Sequence, residues 1–89
     1  MERAELEQLS SKELHHRAVS VATRHADVGF LWDLIKFVPP ARAAAGDIPA
    51  AEVDITRLSS LLYDFVHADE GKIADELRPL YIEYLVQKG

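Results

Sequence analysis

The chain reads as an all-α domain, and three observations say so. No stretch shows strict two-residue alternation of apolar and polar side chains between turn residues, the mark of a half-buried strand. Four segments instead repeat apolar residues every three or four positions. Each of the four follows a residue suited to capping a helix: Ser10, Asp27, Asp47 or Asp54, and Asp69. With 89 residues the chain is a single domain. The expected architecture is a small bundle of four helices, or five if residues 1–9 form a short helix rather than a flexible arm.

The first segment is "LSSKELHHRAVSVATRHAD". Ser10 and Glu13 stand in capping-box spacing, so the serine oxygen can take a free backbone N–H. Leu14, Ala18, Val21 and His25 then recur at steps of four, three and four, with Ala22 alongside, and make one apolar stripe. The second segment, "DVGFLWDLIKFVPP", is apolar on three sides, leaving only Gly29, Asp33 and Lys36 as a polar strip. That change of pattern predicts a kink or break near Asp27 rather than one continuous rod. Pro39 and Pro40 end the segment, because proline lacks the amide proton and disfavours helical geometry in the residue before it.

Residues 39–47 read as an alanine-rich linker carrying at most a helical turn that ends at Gly46. The third segment, "DITRLSSLLYDFVH", has the cleanest amphipathic pattern, with Ile55, Leu58, Leu61, Leu62, Phe65 and Val66 on one face. The fourth, "DEGKIADELRPLYIEYLVQKG", gathers Ile73, Leu77, Leu80, Tyr81, Tyr84 and Leu85 on a broad side. Pro79 lies inside it and predicts a second kink or break. Arg78 reads as the partner of Glu76 or Glu83 on the helix surface.

Several function classes lose support from composition. There is no cysteine, so disulfides, thiolate chemistry and cysteine-ligated zinc are excluded, in keeping with a cytoplasmic location. The start "MERAELEQL" alternates charged and apolar residues and resembles neither a signal peptide nor an anchor. The longest apolar stretch, positions 29–40, contains Asp33 and Lys36 and falls short of the ~20 residues a membrane span needs. Six acids balance six bases through residue 46, whereas nine acids face four bases from Asp47 onward, so the net charge of −5 belongs to the C-terminal half. That half repels a phosphate backbone and the other has no basic stripe, which argues against nucleic-acid binding.

The stretch "FVHADEGK" sets His67, Asp69 and Glu70 close together, as a metal cluster would. Helix-terminus electrostatics explain each one without a metal: His67 suits a helix C-terminus, Asp69 an N-cap and Glu70 a first turn. A subtler metal pattern is the pair of carboxylate-x-x-histidine spacings, Glu13 with His16 and Asp64 with His67. His16 lies about 200° from Leu14 and Asp64 about 200° from Leu62, so both motifs point away from the core stripes. No metal or other cofactor is therefore expected.

His25, with Trp32 and Tyr63, marks the expected place of a ligand pocket if one exists. The four glycines are scattered singly, and no serine sits in a nucleophile elbow. What remains is surplus apolar surface. Phe30, Leu34 and Phe37 in the second segment, and Ile82 and Val86 in the fourth, exceed what a small bundle is expected to hide. The reading is a non-enzymatic helical protein that forms a homodimer or docks on another protein through these faces. The alternative is a small-ligand or metal-binding helical protein with its pocket near His25 and Trp32.

Overall fold

The computed structural model of the protein describes residues 2–49, 51, 53–68 and 71–88. Among them are six helices and no strand: α1 (Arg3–Glu7), α2 (Ser11–Arg24), α3 (Val28–Lys36), α4 (Pro39–Gly46), α5 (Ile55–Ala68) and α6 (Lys72–Lys88). The all-α class holds, and the helices number more than four or five. No helix among the described residues is long and apolar enough to cross a membrane.

Three caps start their helices as the sequence predicts. Ser10 Oγ accepts the Glu13 N–H at 3.1 Å, Asp27 Oδ1 accepts that of Phe30 at 3.1 Å, and Asp54 Oδ1 that of Arg57 at 2.8 Å. The cap expected of Asp69 and the first-turn role expected of Glu70 lie outside the described residues.

The break near Asp27 is a full turn between α2 and α3. Ala26 adopts φ +52°, the left-handed conformation. Around it the Asp27 N–H reaches the Ala22 carbonyl (2.8 Å) and the Ala26 N–H that of Thr23 (3.2 Å). This is a Schellman ending with alanine where glycine is usual. His25 is the residue that caps α2, and it is exposed rather than part of the buried stripe.

Residues 39–47 are not a linker. Pro39 and Pro40 end α3, as expected, and also begin α4, where a missing N–H costs nothing because first-turn donors have no partner in the helix. Ala41 and Ala45, four apart and both buried, let α4 lie close against α3 and α5. At Pro79, where a kink or a break is expected, there is no break, since α6 runs continuously through it. Pro79 is exposed, so the Asp75 carbonyl that lacks an N–H partner sits on the solvent side.

The helices pack as two groups of three. α2 and α6 make the most extensive contact, with α1 against α6; α3, α4 and α5 form the second group. Contacts of α2 with α3 and α5, and of α5 with α6, join the two. One core runs through both, from Leu6 and Leu14 to Leu34, Leu62 and Tyr81. The radius of gyration, 12.5 Å, matches the ~12 Å of a compact chain of this length, although the molecule is a slab of 40 × 28 × 15 Å.

Arg78 does not sit with Glu76 or Glu83. Its guanidinium donates to the carbonyls of Glu7 (3.0 Å) and Leu9 (2.8 Å) and to Ser11 Oγ (3.2 Å). It thereby satisfies carbonyls at the end of α1 and ties them to the start of α2. Glu83 instead pairs with Arg3 at 3.0 Å.

Candidate functional site

Helix directions set up the principal concavity. Ser11 meets Asp75 and Arg78 of α6, and one turn on His15 meets Tyr81, so α2 and α6 run parallel. α5 and α6 are packed neighbours separated only by positions 69–71, which makes them antiparallel. α5 therefore runs antiparallel to α2. The two touch sparingly and leave an open groove of about 650 Å³ between the two groups of helices. His15, His16, Val19, Ser20, Thr23 and Arg24 line one wall, and Ser59, Ser60, Tyr63 and Asp64 the other. A smaller groove of about 410 Å³ lies on the adjacent flank of α2, sharing His16, Ser20 and Arg24 with the first and reaching Leu85 of α6.

His15 forms part of the floor. It is 4% exposed, its Nδ1 lies 2.8 Å from the Tyr81 hydroxyl, and the rings meet edge to face at 5.4 Å. Burial, with added repulsion from His67 and His16, lowers its pKa to about 4, so the imidazole is neutral near pH 7. Burial likewise pushes the Tyr81 hydroxyl well above its usual value. The sequence does hold a signal for this residue: His15, Ala18 and Ala22 share the i, i+3, i+7 spacing of one face. Attention to the Glu13–His16 spacing passes over it.

On α5, Tyr63 stacks on His67 with centroids 3.9 Å apart, and His67 Nδ1 donates to the Tyr63 carbonyl at 2.9 Å. Ser59 Oγ donates to the Ile55 carbonyl at 2.7 Å, and Thr23 Oγ1 to that of Val19 at 2.8 Å. None of the serines lining the groove is hydrogen-bonded to His15, so no nucleophile–base pair is assembled there. A second polar junction ties α2, α3 and α6. The Tyr84 hydroxyl donates to Asp27 Oδ2 at 3.0 Å, and Phe30 stacks on the Tyr84 ring at 3.7 Å. Burial first, then the bond to Asp27, raises the Tyr84 pKa to about 12.

The structure distributes the residues singled out in the sequence as follows. Of the metal candidates, His16 and Asp64 both line the groove, while Glu13 pairs with Arg17 at 2.9 Å and His67 is held by Tyr63. Among the described residues no three histidine, cysteine, aspartate or glutamate side chains are placed to hold a metal ion. Of the ligand candidates, Tyr63 lines the groove, but His25 and Trp32 line neither concavity. Of the partner-facing candidates, Phe37 is 64% and Val86 43% exposed, and Phe30 is half-buried against Tyr84. Leu34 and Ile82 belong to the core. Two further helices pack against the elements that carry them: α4 on α3, and α1, the short helix offered as one reading of residues 1–9, on α6.

Comparisons of the chain with protein-family models, with curated proteins and with solved structures found no match.

Proposed function

We propose that this chain is a non-enzymatic helical interaction module that pairs with a second copy of itself through the outer side of α3 and its C-terminal end. One observation carries the reading: Val28, Trp32 and Phe37, within or just capping a nine-residue helix, remain 40%, 39% and 64% exposed. Trp32 and Phe37 supply large, rigid apolar surface of the kind that anchors interfaces. Asp33 and Lys36, 3.9 Å apart on the same helix, fall between Trp32 and Phe37 around its axis, where each offsets the other's charge.

Light scattering across a dilution series reaching several hundred micromolar tests this. The mass should rise from 10.0 kDa toward twice that value. The double variant Trp32→Glu, Phe37→Glu should stay monomeric throughout while keeping the helical circular dichroism of the parent. A parent chain that remains at the monomer mass over the whole series removes self-pairing.

A further inference from the structure

The groove between α2 and α5 has a polar atom in its floor that the fold itself does not use. Among the described residues Tyr81 has no acceptor other than His15 Nδ1; with its O–H donating there, the imidazole proton falls on Nε2. No buried side-chain nitrogen or oxygen lacks a partner among the described residues, yet Nε2 makes no bond to any of them. Nε2 is therefore not sealed off. Nε2 thus keeps some access from a residue only 4% exposed, and the groove is the concavity that His15 lines.

The groove's other groups are asymmetric along its length. Because α5 runs antiparallel to α2, Asp64 falls toward the His15–His16 end, and Arg24 falls at the end where Ser59 and Ser60 stand. Arg24 belongs to none of the ion pairs formed among the described residues. Nine positions of helix separate it from His15, about 13 Å along the axis. Between them the walls are Val19 and the 57%-exposed ring of Tyr63. The volume of about 650 Å³ falls within the range of small-molecule sites.

We propose that this groove binds a small amphipathic monocarboxylate, with its carboxylate on the Arg24 guanidinium and its apolar body along Val19 and Tyr63. At its far end a carbonyl or hydroxyl oxygen takes the Nε2–H of His15. Asp64 repels a carboxylate from the histidine end and so fixes the ligand's direction. The depressed pKa of His15 keeps that donor uncharged, and it does not compete with Arg24 for the anion. The site is separate from the α3 surface, and neither proposal depends on the other.

The test is a titration of 15N-labelled protein with 6-acetyl-2-naphthoate, read from backbone amide shifts. Saturable shifts are expected at positions 15–24 of α2 and 59–64 of α5, with positions 28–37 of α3 unmoved. Arg24→Gln should raise the dissociation constant about tenfold, the loss of one charge-assisted contact. 2-Acetylnaphthalene, which lacks the carboxylate, should bind correspondingly weakly and equally to both proteins. 2-Naphthoate, which lacks the ketone, probes the His15 contact without altering the core and should also bind more weakly than the parent probe. Ser60→Trp, at an exposed wall position, should fill the groove and abolish binding. An absence of saturable shifts at several millimolar, shifts confined to α3, or indifference to both Arg24→Gln and Ser60→Trp would each overturn the assignment.

Discussion

Ala26 carries a side chain in a conformation that costs most residues about 1–2 kcal/mol, and it does so at the C-terminus of a helix where glycine adopts it freely. Ala26→Gly gives back some of that gain by loosening the unfolded chain. The net expectation is a stabilisation of about 1 kcal/mol, read as a higher urea midpoint at unchanged slope. A lower midpoint would mean that the turn is not strained at this residue. His15 gives a second prediction, in pH. Its pKa is about 4 in the folded chain against 6.5 when unperturbed, so between those values the unfolded state binds a proton that the folded state does not. The contribution of the neutral imidazole is complete above about pH 6.5 and lost progressively as pH falls toward about 4, by about 3 kcal/mol in total. Denaturant titrations between pH 7.5 and 4.5 should show this slope, and His15→Gln should flatten it while lowering stability at every pH. Caps such as Ser10, Asp27 and Asp54 are legible in sequence because a short side chain ahead of an apolar run acts on its own neighbours. For His15 the sequence marks only the shared face with Ala18 and Ala22; the burial that keeps it neutral and the contact with Tyr81, 66 positions away, arise only in the tertiary fold.

Among the elements, α1 is the one whose existence depends most on the rest of the molecule. Five residues are far too few to sustain a helix alone, since nucleation costs more than one turn returns. Leu6 anchors it, fully buried, and Arg78 closes its end by bonding two carbonyls. Arg78→Ala is expected to lower stability by about 2 kcal/mol, the scale of hydrogen bonds to a charged group. Its loss should fall locally, with amide exchange protection disappearing in residues 5–9 before that of α2 or α6. Arg78→Lys, a single point donor in place of a planar fork, should restore only part of it. Uniform loss of protection across the chain would show that Arg78 does not act on α1 in particular. The periodicity of α2, α3, α5 and α6 could be read directly because each presents a repeating apolar face. α1 could be offered only as an alternative to a flexible arm, and α4 only as a helical turn within a linker, for opposite reasons. α1 is too short to show a period, and α4 packs through alanines, whose burial leaves almost no hydrophobic signature. The proline pair compounded this, since the same two residues that end one helix are well suited to begin the next.

At the scale of the whole molecule, the two added helices change how much apolar surface is left over. With α1 and α4 in place, Leu34 and Ile82 are buried within the chain, and the surplus contracts to the flanks of α3, with Val53, Tyr63 and Val86 exposed elsewhere. Val28, Trp32 and Phe37 together leave on the order of 300 Å² open per copy, given the 150–250 Å² an aromatic side chain can bury. A twofold pair built on them removes about 600 Å² directly, well below the ~1,200–2,000 Å² of a standard interface even with some contribution from surrounding residues. Association also costs several kcal/mol of lost translational and rotational freedom. The pair is therefore expected to be weak, micromolar or weaker, so that concentration becomes the variable that reveals it. If the folded chain pairs and the unfolded chain does not, apparent stability rises with protein concentration by mass action once the dissociation constant is passed. Each further tenfold in concentration is then worth up to about 1.4 kcal/mol of dimer stability, a rise of several degrees in midpoint temperature for a domain of this size. Thermal unfolding at low and at several hundred micromolar concentration should show that rise in the parent chain. The Trp32→Glu, Phe37→Glu variant should lose it, because a carboxylate on each anchor resists the desolvation that pairing requires. A midpoint independent of concentration in both proteins would leave these side chains as ordinary exposed apolar surface, of which every small domain carries some.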